Sequence, residues 1–129
     1  MERKKILIVD DEMDVLRVLE TRLAKEGFEP ILADTGTLAF SLAKERQPEV
    51  IVLDIKMPKM SGGEIANKLM ADPMTKDIPV IFFSSLISDE KTSQIKQNHA
   101  GHIVLAKSTS VAELISTINK VISNSCSTP

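Results

Sequence analysis

Four uninterrupted apolar runs mark the chain: Ile6-Leu7-Ile8-Val9, Val50-Ile51-Val52-Leu53, Val80-Ile81-Phe82-Phe83 and Ile103-Val104-Leu105-Ala106. A polar residue closes each of them, in turn Asp10, Asp54, Ser84 and Lys107. Short runs rich in β-branched residues without polar alternation predict strands buried on both faces. A further short strand is predicted over residues 29–33.

Between the strands the apolar period changes from continuous to three and four. Leu16, Leu19 and Leu23 mark a helix that Gly27 stops, with Asp11 or Glu12 at its acidic entrance. Leu38, Leu42 and Ala43 mark a second helix, and Ile65, Ala66, Leu69 and Met70 a third, which Pro73 ends. Residues 89–98 form a weaker candidate, in which only Ile95 marks a buried face. Val111, Leu114, Ile115, Ile118, Val121 and Ile122 define the last helix. Strands alternating with helices predict one α/β domain, a parallel sheet covered on both faces by five helices. The domain is expected to occupy residues 1–123. Residues 124–129 then form a polar tail or the start of a linker.

Composition narrows the function. The chain has 129 residues, 43% hydrophobic and 26% charged, with a formal net charge of -2. That balance suits a globular domain and not a general binder of nucleic-acid backbones. Four phenylalanines are the only aromatics, so no series of rings is available for base stacking. The basic trio Arg3, Lys4 and Lys5 reads as a solvated strand entrance. The sole cysteine, Cys126, argues against disulfides and a thiolate metal site and suits a reducing compartment. No apolar stretch approaches the roughly 20 residues that cross a bilayer. A cytoplasmic location without membrane contact is the expectation.

In an open parallel sheet, ligands collect beyond the carboxyl ends of the strands. Asp10 with Asp11, Asp54, Ser84 and Lys107 each follow or end such a strand. Singly, each has a bland explanation: a helix cap, a strand terminus, a satisfied hydroxyl, a solvated charge. Together they describe one pocket drawn from four strands. Three carboxylates in one place need compensating charge, and their hard oxygens favour Mg2+, or another hard divalent cation such as Mn2+, over metals that seek sulfur or imidazole. His99 and His102 lack supporting ligands and read as loop residues. Asp54, at the end of the most apolar strand, is the candidate nucleophile toward phosphorus. Lys107 and Ser84 are placed to offset or hydrogen-bond a transferring phosphoryl group.

Asp10-Asp11, the stretch DIKMPKMSGG over residues 54–63, Ser84 and Lys107 together resemble the receiver (CheY-like) domains of two-component response regulators, over residues 4–123. The resemblance implies a flavodoxin-like sheet of strand order 2-1-3-4-5. It implies Asp54 as phosphoacceptor, with Mg2+ held by Asp11 directly, by Asp10 through water, by Asp54 and by the Lys56 backbone carbonyl. Ser84 and Lys107 then contact the phosphoryl group. The implied donor is a histidine kinase or a histidine phosphotransfer protein, and the implied product is a signalling switch rather than an enzyme in the ordinary sense. An output protein or domain, or a second receiver in a phosphorylation-dependent homodimer, would engage a face within residues 89–122.

Two positions depart from the family pattern. Val104 stands where an aromatic often changes rotamer during switching. Ser108 follows Lys107, where a proline in a cis peptide is common. Lys56 adds a cation beside the acidic pocket, and the stretch 100–107 is shorter than usual. These departures motivate an alternative, a receiver-shaped binding module that works without phosphorylation. A third reading, an aspartate-dependent phosphatase, lacks an evident second acid. Both a stand-alone shuttle and a receiver belonging to a larger regulator or hybrid kinase fit the letters.

Overall fold

All five predicted strands form, and they hydrogen-bond into one parallel sheet of order β2-β1-β3-β4-β5. The computed structural model describes residues 3–54, 62–84, 103–106 and 111–126. For Gly62, Gly63, Ser84 and residues 103–106 and 123–126 it describes the backbone alone. In chain order the elements are β1 (Lys5–Val9), α1 (Met13–Lys25), β2 (Glu29–Ala33), α2 (Gly36–Arg46), β3 (Val50–Leu53), α3 (Gly62–Ala71), β4 (Val80–Ser84), β5 (Ile103–Ala106) and α4 (Val111–Cys126). The helix expected over residues 89–98 lies outside the described residues.

The sheet divides the core into two layers by strict alternation. Ile6, Ile8, Val50, Val52, Ile81 and Phe83 face α1 and α4, meeting Leu16, Leu19 and Leu23 on one and Leu114, Ile115, Ile118 and Ile122 on the other. Leu7, Val9, Ile51, Leu53, Val80 and Phe82 face α2 and α3, meeting Ala39, Ala43, Ile65, Ala66 and Leu69. Both faces are therefore apolar, which is why the strands read as unbroken runs. A slip of one residue would exchange the two layers and spoil the fit of every helix. Burial on both sides thus sets the register.

Local chemistry ends each helix. Gly27 closes α1 at φ +91°, and the Phe28 amide donates back to the Leu23 carbonyl at 3.0 Å. Thr35 caps α2 by accepting from the Leu38 amide at 3.1 Å. At the other end of α2, Gln47 takes the left-handed conformation at φ 49°. Its side-chain amide donates to the Lys44 carbonyl at 3.1 Å and to the Met74 carbonyl at 2.9 Å. These bonds offset the steric cost of a Cβ in that conformation.

Three details differ from the periodicity. The buried face of α2 is Gly36, Ala39 and Ala43, with Leu42 partly buried, whereas Leu38 is 42% exposed. Small side chains bring the helix close to the sheet and turn the larger Leu38 outward. On α3, Ile65, Ala66 and Leu69 are buried but Met70 is exposed. Finally, α4 runs through Cys126, so residues 124–126 of the expected polar tail are helical. No glycine or proline interrupts the chain between Val111 and Cys126, and polar residues alone do not stop a helix.

Candidate functional site

β1 and β3 lie side by side with Val9 opposite Leu53, so the residues that follow, Asp10 and Asp54, leave the sheet together. The Asp54 amide donates to the Val9 carbonyl at 3.0 Å, and the Asp10 amide donates to the Ala33 carbonyl at 3.1 Å. These bonds carry the sheet's pairing one step past its formal ends. They fix two aspartate backbones on adjacent strands, which are about 5 Å apart in any sheet. Both side chains are buried, Asp10 at 2% exposure and Asp54 at 4%. Carboxylates seldom occupy such positions without compensating partners.

The turn into α1 is built by Asp10. Its Oδ1 accepts from the Glu12 amide at 3.0 Å, and this short loop sets the direction in which α1 starts. Acidic residues do occupy the helix entrance, as expected. Glu12 is the N-cap residue, yet its side chain makes no capping hydrogen bond. The sequence points to an acid at the entrance but not to the division of labour: the buried Asp10 takes the Glu12 backbone amide, while Asp11 and Glu12 are exposed.

Asp10, Asp11 and Glu12 each bring a carboxylate oxygen within 4.8 Å of the others. Carboxylates gathered in this way are suited to holding a cation. The donors are all hard oxygens, a set suited to Mg2+ or Mn2+ and unsuited to thiophilic metals. Glu12 joins this group although the strand-end pattern singles out only Asp10 and Asp11. The signal was there, as the third acid in an Asp-Asp-Glu run.

Of the remaining candidates, Ser84 is the last residue of β4. Phe82 pairs with Leu53, so Ser84 stands one step beyond the level of Asp54 on the neighbouring strand. Ser84 in turn pairs with Ala106, the end of β5, and Lys107 follows in the chain. Val104 pairs with Phe82, in the middle of β5. The backbone thus brings Asp10, Asp54, Ser84 and the end of β5 to one edge of the sheet. Lys56, Lys107 and Ser108 lie outside the described residues.

A family model described as the response regulator receiver domain matches residues 6–119. The chain belongs to that family. Among solved structures it is similar to the receiver domain of the Francisella response regulator 1452, with a TM-score of 0.83 and 26% identity, covering 95% of this chain and 99% of that one. A response regulator from Desulfuromonas acetoxidans gives a TM-score of 0.81 at 28% identity, covering 93% and 97%. Among curated proteins, the probable transcriptional regulator ycf27 of Porphyridium aerugineum is 38% identical over 94 residues, which is 71% of this chain and 38% of that protein. The response regulator PleD of Caulobacter vibrioides is 39% identical over 82 residues, 64% of this chain and 18% of PleD. The chain therefore matches only a minor part of these longer relatives.

The receiver assignment accounts for the acidic cluster at the strand ends, which is typical of the phosphorylation and metal site of response regulators. Receiver domains are signalling switches rather than autonomous enzymes. Among the described residues, no helix is long and apolar enough to cross a membrane.

Proposed function

We propose that this receiver takes a phosphoryl group on Asp54 with Mg2+ bound beside it, and that the added charge switches its binding of an output protein or domain. The observation that carries the proposal is the pairing of two buried aspartates, Asp10 and Asp54, at adjacent strand ends next to the carboxylates of Asp11 and Glu12. A carboxylate oxygen of Asp54 attacks phosphorus. The bond from phosphorus to the leaving group breaks, and the leaving group departs with the electron pair. The donor is a phosphohistidine of a histidine kinase or phosphotransfer protein, or a small acyl phosphate.

Each surrounding residue has a distinct task. Asp10 and Asp11, with Asp54 and the Lys56 backbone carbonyl, would hold the cation, and Asp10 also anchors the turn through the Glu12 amide. When bound, Mg2+ supplies positive charge that neutralises oxygens of the transferring group. The Ser84 hydroxyl donates to a phosphoryl oxygen, and the Lys107 ammonium pairs with another. The phosphoryl group adds about -1.5 to -2 of charge at neutral pH. Drawing Ser84 and Lys107 toward that charge transmits phosphorylation to the ends of β4 and β5 and to the loops after them. The relatives named as transcriptional regulators suggest a larger regulator that couples this switch to output.

Incubation with Mg2+ and acetyl phosphate, followed by intact mass measurement, tests the proposal. A labile phosphoryl adduct is expected in the wild type, absent in Asp54→Asn and absent after chelation of the metal. An adduct that persists in Asp54→Asn would overturn the assignment. No adduct from acetyl phosphate or from kinases would favour a module that binds without phosphorylation.

A further inference from the structure

The backbone of Glu12 belongs to the turn into α1, because its amide donates to Asp10 Oδ1 at 3.0 Å. Its side chain does something else. Asp, Asn, Ser and Thr are the residues that cap a helix from this position, by accepting from the amides of the first turn. Glu12 stands at the N-cap of α1 and makes no such bond. A carboxylate oxygen of Glu12 lies instead within 4.8 Å of those of Asp10 and Asp11. Asp10 is buried and Glu12 is exposed, so Glu12 occupies the solvent side of the acidic group.

This placement adds charge to a site that two buried aspartates, Asp10 and Asp54, already define at adjacent strand ends. A divalent cation offsets two carboxylate charges, and Glu12 therefore leaves one further negative charge at the mouth of the pocket. That charge acts with opposite sign on the two things the site must receive. It attracts the cation. It repels the phosphoryl group of a donor, which is itself an anion.

We propose that Glu12 is an electrostatic gate on the phosphorylation site, tightening the hold on the cation while slowing uptake from small anionic phosphodonors. The proposal rests on the reading of Asp54 as phosphoacceptor. It also sorts the donors by class. A free acyl phosphate has little besides its charged group with which to overcome the repulsion. A donor protein adds contacts over its own surface, so the same charge weighs less against it.

Two measurements on the full chain test this: calorimetric titration with Mg2+, and the rate of adduct formation from acetyl phosphate by intact mass, at Mg2+ saturating for each protein. Glu12→Gln keeps the side chain's length and removes its charge. The Mg2+ Kd should rise about three- to tenfold, while phosphorylation becomes about two- to fivefold faster than in wild type. Both differences should shrink at high salt, since Glu12 is exposed. Asp14→Asn removes another exposed acid from the first turn of α1, outside the cluster, and should change either quantity less than about twofold. A merely structural role for Glu12 would weaken Mg2+ and slow phosphorylation together, and that result overturns the gate. Unchanged Mg2+ affinity in Glu12→Gln overturns it as well, as do equal effects in Asp14→Asn. The gate and the phosphoacceptor reading fail distinguishably. A wild type that forms no adduct sinks both, whereas a wild type that is phosphorylated while Glu12→Gln is no faster sinks the gate alone.

Discussion

Thr75 shows how one buried hydroxyl holds a helix end in this molecule. It is 1% exposed, and its Oγ1 donates to the Leu69 carbonyl at 2.5 Å, satisfying an acceptor in the last turn of α3. Thr75→Val keeps the volume and removes the donor, leaving that carbonyl buried without this partner. A loss of about 1–2 kcal/mol in chemical denaturation is expected. Asp72, beside it, is held below the ordinary aspartate value of 3.8, first by the Met74 amide that donates to its Oδ1 and then by the Lys44 ammonium at 3.2 Å. A depressed folded-state value means that the charge stabilises the fold above the unfolded value, and that this contribution disappears as pH falls through the lower folded value. The stability difference between wild type and Asp72→Asn should therefore be constant near neutrality and shrink in acid. A difference that grows in acid would contradict the assignment. Neither interaction was legible in the sequence, since Thr75 and Asp72 lie in a polar stretch where any turn residue would look the same.

At the scale of elements, legibility followed the strength of the pattern. β2, β3 and β5 have the predicted bounds, and β1 and β4 each extend the apolar run by one polar residue, Lys5 and Ser84. The periodicity places α2 but not its buried face. Leucines drew the periodicity toward Leu38, whereas Ala39 and Ala43 pack against the sheet. Alanine carries little hydrophobic signal, yet its size lets the helix approach closely. Ala43→Leu, at a position with no exposed surface, should overpack that contact and cost about 1–3 kcal/mol. Leu38→Ala, at an exposed position, should change stability by less than about 0.5 kcal/mol. Equal effects of the two substitutions in thermal or chemical unfolding would contradict the observed face. The end of α4 is hidden for the converse reason: its last residues are polar, and polarity does not mark where a helix stops.

For the whole molecule, the sheet converts positions scattered along the sequence into one edge. Asp10 and Asp54 were identifiable because each closes an apolar run, and the parallel register then makes them neighbours. Glu12, a third adjacent acid, reads in the sequence as helix-entrance charge, whereas the fold sets its oxygen beside those of Asp10 and Asp11. Within the proposed switch, Asp54 is the residue that carries the phosphoryl group. Reduction of the phosphorylated protein with borohydride converts an acyl phosphate to an alcohol, and peptide sequencing by tandem mass spectrometry then locates it. The account predicts homoserine at position 54 only in protein that has received both Mg2+ and phosphodonor; homoserine at Asp10 or Asp11 instead, with Asp54 intact, would contradict it.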